Sequence, residues 1–132
     1  MPITVHVEGV EGILKELRRV APEAKEAIAD VLRKEAIAIR DDAKNRCPKD
    51  TGALSESIRY TVSRKNLTAT IMAGGKMVDG RDVYYAGFVE YGTRKAKAQP
   101  FLIPAGRAHE QETMEALEAA LHKVLEGGGN EI

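Results

Sequence analysis

From Glu23 to Arg46 apolar residues recur at helical spacing: Ile28, Val31, Leu32, Ala36, Ile39 and Ala43 share one side, leaving Arg33, Lys34, Arg40, Asp41 and Lys44 for solvent. The spacing predicts a long amphipathic helix with Pro22 in its first turn, where a missing N–H is tolerated. Cys47-Pro48 should end it, because the residue before a proline is driven away from helical angles. Upstream, Ile3, Val5 and Val7 alternate with Thr4, His6 and Glu8 and read as a half-buried strand. Ile13, Leu14 and Leu17 then fall on one side of a short helix. Downstream, Ile58, Tyr60 and Val62 alternate with Arg59, Thr61 and Ser63, and Thr68 to Met72 return after a Lys65-Asn66 turn, which makes a hairpin.

Gly74 to Gly80 reads as a flexible loop by composition, although Met77 and Val78 are odd residues to leave in water. Val83 to Tyr91 can form a short helix that sets Tyr84 or Tyr85, with Phe88 and Val89, against the sheet, and Gly92 can terminate it. Pro104 prepares a last helix from Ala105 to Leu125, with Ala108, Leu117, Ala120, Leu121, Val124 and Leu125 as its apolar stripe. Gly127-Gly128-Gly129 should stop it. The expected fold is α+β: a small antiparallel sheet containing the hairpin, with the long helix and the C-terminal helix packed on one face. Residues 1–126 read as a single domain and 127–132 as a disordered tail.

Composition narrows the functional classes. A chain of 132 residues fits one domain, and 43% hydrophobic with 30% charged residues describes a globular protein. Lysine plus arginine and aspartate plus glutamate number 20 each, so no net field draws the whole molecule onto nucleic acid or an anionic membrane. The one cysteine, Cys47, has no evident base partner and reads as an inert buried thiol. The N-terminus lacks a basic segment followed by a long apolar stretch, so neither a secretory signal nor a membrane contact is expected.

Three stiff segments stand out. Pro48-Lys49-Asp50-Thr51-Gly52-Ala53-Leu54 has turn chemistry: a fixed proline φ, side-chain oxygens for nearby backbone donors and a permissive glycine. Tyr85-Ala86-Gly87-Phe88-Val89-Glu90-Tyr91-Gly92-Thr93 is the second, and Gln99-Pro100-Phe101-Leu102-Ile103-Pro104-Ala105 the third. In order and spacing, from Cys47 to Ile58, Tyr85 to Thr93 and Gln99 to Ala105, they resemble the tail-component proteins of long-tailed bacteriophages and prophages. These are the small neck proteins named after a lambdoid Hong Kong phage. Cys47 stands where that family usually has a small residue, and Lys49 where an apolar one is common.

The resemblance implies a structural virion protein that joins head to tail by ring assembly, with self and adjoining neck or tail proteins as partners. It implies no cofactor and no small-molecule substrate. Within the third segment Phe101 is the expected core anchor, while Leu102 or Ile103 faces a neighbouring chain. Arg94, Lys95 and Lys97 form the one compact basic loop, a candidate contact for passing DNA or an acidic partner.

Catalytic patterns are incomplete. Asp50-Thr51-Gly52 lacks the second carboxylate tripeptide that aspartic protease chemistry needs. His109-Glu110-Gln111-Glu112 begins like a zinc-protease helix, but Thr113 occupies the second histidine's place. Gly74-Gly75-Lys76 lacks the earlier glycine of a phosphate loop. The alternatives to an assembly protein are a small cytoplasmic enzyme using Asp50, Glu90 or His109, and a nucleic-acid module built on the basic loop.

Overall fold

The computed structural model describes residues 2–6, 22–48 and 52–130. Its elements are β1 (Ile3–His6), α1 (Pro22–Arg46), α2 (Ala53–Glu56), β2 (Arg59–Ser63), β3 (Thr68–Ala73), β4 (Gly75–Lys76), β5 (Asp82–Val83), α3 (Ala86–Tyr91), α4 (Leu102–Ala108) and α5 (Glu110–Asn130). The expected helix at Ile13 to Leu17 and the Val7 end of the first strand lie outside the described residues.

β3 is the central strand, paired antiparallel with β1 and β2, so that Met72 stands opposite both Thr4 and Arg59. The pleat separates two faces. Ala69, Ile71 and Ala73 are buried, with Ile3, Tyr60 and Val62 packed beside them, while the opposite face carries Thr61, Thr68 and Thr70. On that open face the His6 ring and the Thr70 hydroxyl are 3.1 Å apart.

α1 covers the apolar face and supplies Ile28, Ala29, Leu32, Ala36, Ile39 and Ala43 to the core. Each fully buried Ile or Leu is worth about 1.5–3 kcal/mol, so this helix dominates the packing. Arg40, expected in solvent, instead lays its guanidinium over the Tyr60 ring at 5.3 Å, because its stem lies along the sheet's edge. α5 packs against α1, and α4 meets both α1 and β1. The α+β expectation is borne out.

Three local expectations change. The last helix is two: α4 begins at Leu102, ahead of Pro104, and gives way at His109 to α5. Ala108 is therefore exposed rather than part of the stripe. α5 also continues through the three glycines to Asn130, since glycine weakens a helix by about 1 kcal/mol per residue but does not forbid it. The Gly74 to Gly80 segment is a small ribbon, with Gly75 opposite Val83 and Lys76 opposite Asp82.

At the ribbon's tip the Met77 N–H donates to Arg81 O at 2.7 Å, and the Arg81 guanidinium holds Asp79 at 2.8 Å and Glu56 at 2.6 Å. The Arg81 N–H, with its guanidinium, keeps the Asp79 carboxyl below the usual carboxylate range. Met77 packs against the core and Val78 stands fully in solvent.

Candidate assembly surface

The first segment turns through Gly52, at φ 79°, into α2, which buries Leu54. Pro48 is half-buried behind α1, and Asp50 and Thr51 lie outside the described residues. Ser57 and Ile58, where the segment ends, are buried. Ser57 Oγ donates to Leu54 O at 2.6 Å and accepts the Gly74 N–H at 2.9 Å. Arg59 then donates to Ser57 O at 2.7 Å and to Gly74 O at 3.0 Å. Gly74 is thereby fixed at φ 85°, where a Cβ would lie 2.6 Å from the Ala86 Cβ. Only glycine lets the second segment approach this closely.

α3 is shorter than expected, because Val83 pairs in β5, and Phe88 alone of the side chains expected against the sheet turns away from it. Ala86 and Glu90 are buried, Tyr85 and Val89 pack beside the core, and Phe88 points outward with Tyr84 and Tyr91. The reason is Glu90. Its Oε1 accepts the N–H groups of Phe101 at 3.0 Å and Leu102 at 2.9 Å, and its Oε2 accepts that of Ile103 at 3.0 Å. These are first-turn donors of α4, which have no partner inside their own helix. Phe101 sits at the capping position and has no oxygen to offer, so the cap comes from another element.

The second and third segments are also tied through the backbone. Gln99 N–H donates to Val89 O at 2.8 Å, closing residues 90–98 into a loop. Gly92, at φ 81°, opens that loop, and a Cβ there would meet Ala98 N at 2.8 Å. Thr93 Oγ1 accepts the N–H groups of Lys95 at 3.2 Å and Ala96 at 3.0 Å. Arg94, Lys95 and Lys97 are consequently displayed on a braced turn, with Gln99 and Pro100 also exposed. Phe101 is fully buried as expected, Leu102 is buried too, and Ile103 and Pro104 are half-buried. Ile103 is thus the outward member of its pair.

Of the residues offered for catalysis, Glu90 and His109 do not converge, and Asp50 lies outside the described residues. Both Glu90 oxygens are occupied by backbone donors, and His109 lies beyond the other end of α4. The His109 ring nitrogens face Asp42 at 3.1 Å and Glu112 at 3.4 Å. Nearby, burial pushes the Glu35 carboxyl up, Glu112 adds to the shift, and His109, Lys34 and the Thr113 hydroxyl oppose it. The Thr113 geometry falls short of a hydrogen bond, leaving its Oγ1 and Glu35 Oε1 buried without partners. Among the described residues no cluster of His, Cys, Asp or Glu could hold a metal ion, and no helix is long and apolar enough to cross a membrane. Cys47 is buried, its thiol 3.4 Å from Pro48 O.

A profile of the family described as "Bacteriophage HK97-gp10, putative tail-component" matches residues 11–92, well over half of the chain. The chain belongs to that family. The match takes in the first segment and the second as far as Gly92, and the third lies beyond it. No curated protein and no solved structure matches the chain. The family is a structural one, a component of the phage tail and so of the virion. In this tail component the marked segments form one continuous clamp, from Ser57 through Gly74 and Ala86 to Glu90 and the start of α4.

Sequence reasoning missed the Glu90 cap and the outward aromatics. One signal was legible: a helix starting after Pro100 with no Ser, Thr, Asp or Asn at its first positions must find its cap elsewhere.

Proposed function

We propose that this tail component works in the neck of a long-tailed phage or prophage, where copies assemble as a ring that completes the tail and joins it to the head. It is made in the host cytoplasm and then built into the particle, against itself and adjoining neck or tail proteins. The observation that carries this reading is the clamp. It spends the segments' polar groups on fixing backbone and leaves Tyr84, Phe88 and Tyr91 facing outward at 62%, 57% and 66% exposure. A fold that spends the buried Glu90 carboxylate as a cap while displaying aromatic rings is suited to association rather than turnover.

The third segment supplies the test. Ile103→Asp places a charge at a half-buried position beside the braced loop, and the expected result is a folded subunit that leaves filled heads and separate tails. Leu102→Asp is the control, because a charge there enters the subunit core and should unfold the chain at a cost of several kcal/mol. Normal numbers of joined infectious particles from a folded Ile103→Asp protein would remove this segment from the assembly surface.

A further inference from the structure

The basic loop holds no aromatic residue of its own, but the fold sets Tyr91 and Phe88 beside it. Gly92 N–H donates to Phe88 O at 2.8 Å and Gln99 N–H to Val89 O at 2.8 Å, so both ends of the loop are pinned to the last turn of α3. Thr93 N–H donates to Ala96 O at 2.8 Å and folds the chain between them. Arg94, Lys95 and Lys97 therefore stand within a few residues of Tyr91, on a turn whose shape is set in advance. Phe88 lies three residues before Tyr91 on the same helix, about 4.5 Å along its axis, and both rings are more than half exposed. Tyr84, on the turn that enters α3, packs edge-on against the Tyr85 ring at 5.5 Å and is exposed as well.

Charge on this stretch is one-sided. The whole chain balances 20 basic against 20 acidic residues, yet Glu90 is the one carboxylate between Asp82 and Glu110, and it is buried with both oxygens accepting backbone N–H groups. None of Arg94, Lys95 and Lys97 is in an ion pair among the described residues. By contrast Arg33, Arg46 and Arg81 each hold a carboxylate. Three cations within four residues, with no acid to offset them, attract a polyanion. Rings left in water beside them call for a ligand that also offers flat apolar faces.

We propose that this surface binds single-stranded nucleic acid without sequence preference, with bases stacked on Tyr91, Phe88 and Tyr84 and phosphates held by Arg94, Lys95 and Lys97. A single strand carries an anion and a flat π face at every nucleotide, so it satisfies both halves of the surface at once. Duplex DNA would meet the cations, but its bases are stacked on one another and the rings would stay in water. An acidic peptide would likewise meet the cations without a flat face for each ring. A second copy of the chain fits worse, since its apolar cleft between α1 and α5 has Lys123 as its one charged lining residue and would repel the loop. This binding goes beyond ring assembly and does not depend on it.

The test is a titration of the full chain with a fluorescein-labelled thymidine strand of about 12 nucleotides, read by anisotropy and by the chain's own tyrosine emission, which no tryptophan obscures. Wild type should bind with a Kd of about 1–100 µM, quench its tyrosine emission as bases stack, and lose affinity with a log–log salt slope of about −2, as three phosphate contacts require. Phe88→Ala should weaken binding about 10-fold with slope and melting temperature unchanged, since a stacking ring displaces no counterion. Lys95→Gln with Lys97→Gln should instead flatten the slope to about −0.7. Tyr91→Leu should remove part of the quenching. No binding of the strand at low salt would overturn the proposal, as would ring variants that bind like wild type. Equal affinity for a duplex of the same length, or competition by polyglutamate as strong as by unlabelled strand, would also overturn it and assign the surface to duplex DNA or to an acidic protein segment. None of these results touches the ring reading, which Ile103→Asp tests separately.

Discussion

A carboxylate removed from water needs donors in its place, and Glu90 finds them in three consecutive backbone N–H groups. Removing it leaves those donors partly orphaned at a buried helix start. Glu90→Ala should destabilise the fold by about 3 kcal/mol or more in urea unfolding, beyond what a surface substitution costs. Glu90→Gln tests whether charge matters: it keeps one acceptor but turns an amide toward N–H groups, so it should recover only part of the loss. A Glu90→Ala protein as stable as wild type would mean that water or another group caps α4. The glutamate was legible in the sequence as a member of the segment. Its role was not, because its partners come a whole loop later in the chain.

At the scale of elements, the ribbon and α3 are coupled through one close approach. Gly74→Ala must strain a positive φ and push a methyl into Ala86, and should cost about 2–4 kcal/mol. Adding Ala86→Gly should return the steric part and leave the backbone part, so a double-mutant cycle should show clear coupling. Additive losses would place the strain elsewhere. The α1–α5 seam carries a different strain, the buried Glu35 carboxyl. Its folded pKa lies above 4.5, so the ionised form is penalised in the native state. That penalty is complete above the folded pKa and disappears as pH falls through it toward 4.5. Glu35→Gln should therefore raise the melting temperature at pH 7, with the gain shrinking on acidification. A gain that is constant with pH would trace to packing instead. Helical periodicity located both helices of this seam, but the joint at His109 depends on Asp42 of α1, which no local pattern includes.

For the whole molecule, we propose that residues 1–126 fold as one unit and that 127–132 add little to it. The segments share partners across the entire fold, so no part of the clamp can open alone without exposing Ser57, Glu90 or Phe101. Deleting residues 127–132 should leave a single thermal transition with its midpoint within about 2 °C of wild type. A second transition, or a large loss, would give the last turn of α5 a structural role.

The sequence by itself determined the long helix, the hairpin, the α+β class and the family, because periodicity and short ordered motifs are local properties written directly in residue order. It also placed Phe101 in the core, since an aromatic ring held between two prolines has few other sites. Tertiary structure alone decided that Phe88 of α3 faces outward. Hydrophobicity would turn Phe88 inward, but three backbone donors from α4 draw Glu90 to that side, and a helix cannot bury both faces against one neighbour. The exposed aromatics follow from that choice, a consequence of hydrogen bonding between segments distant enough in sequence that only the folded chain brings them together.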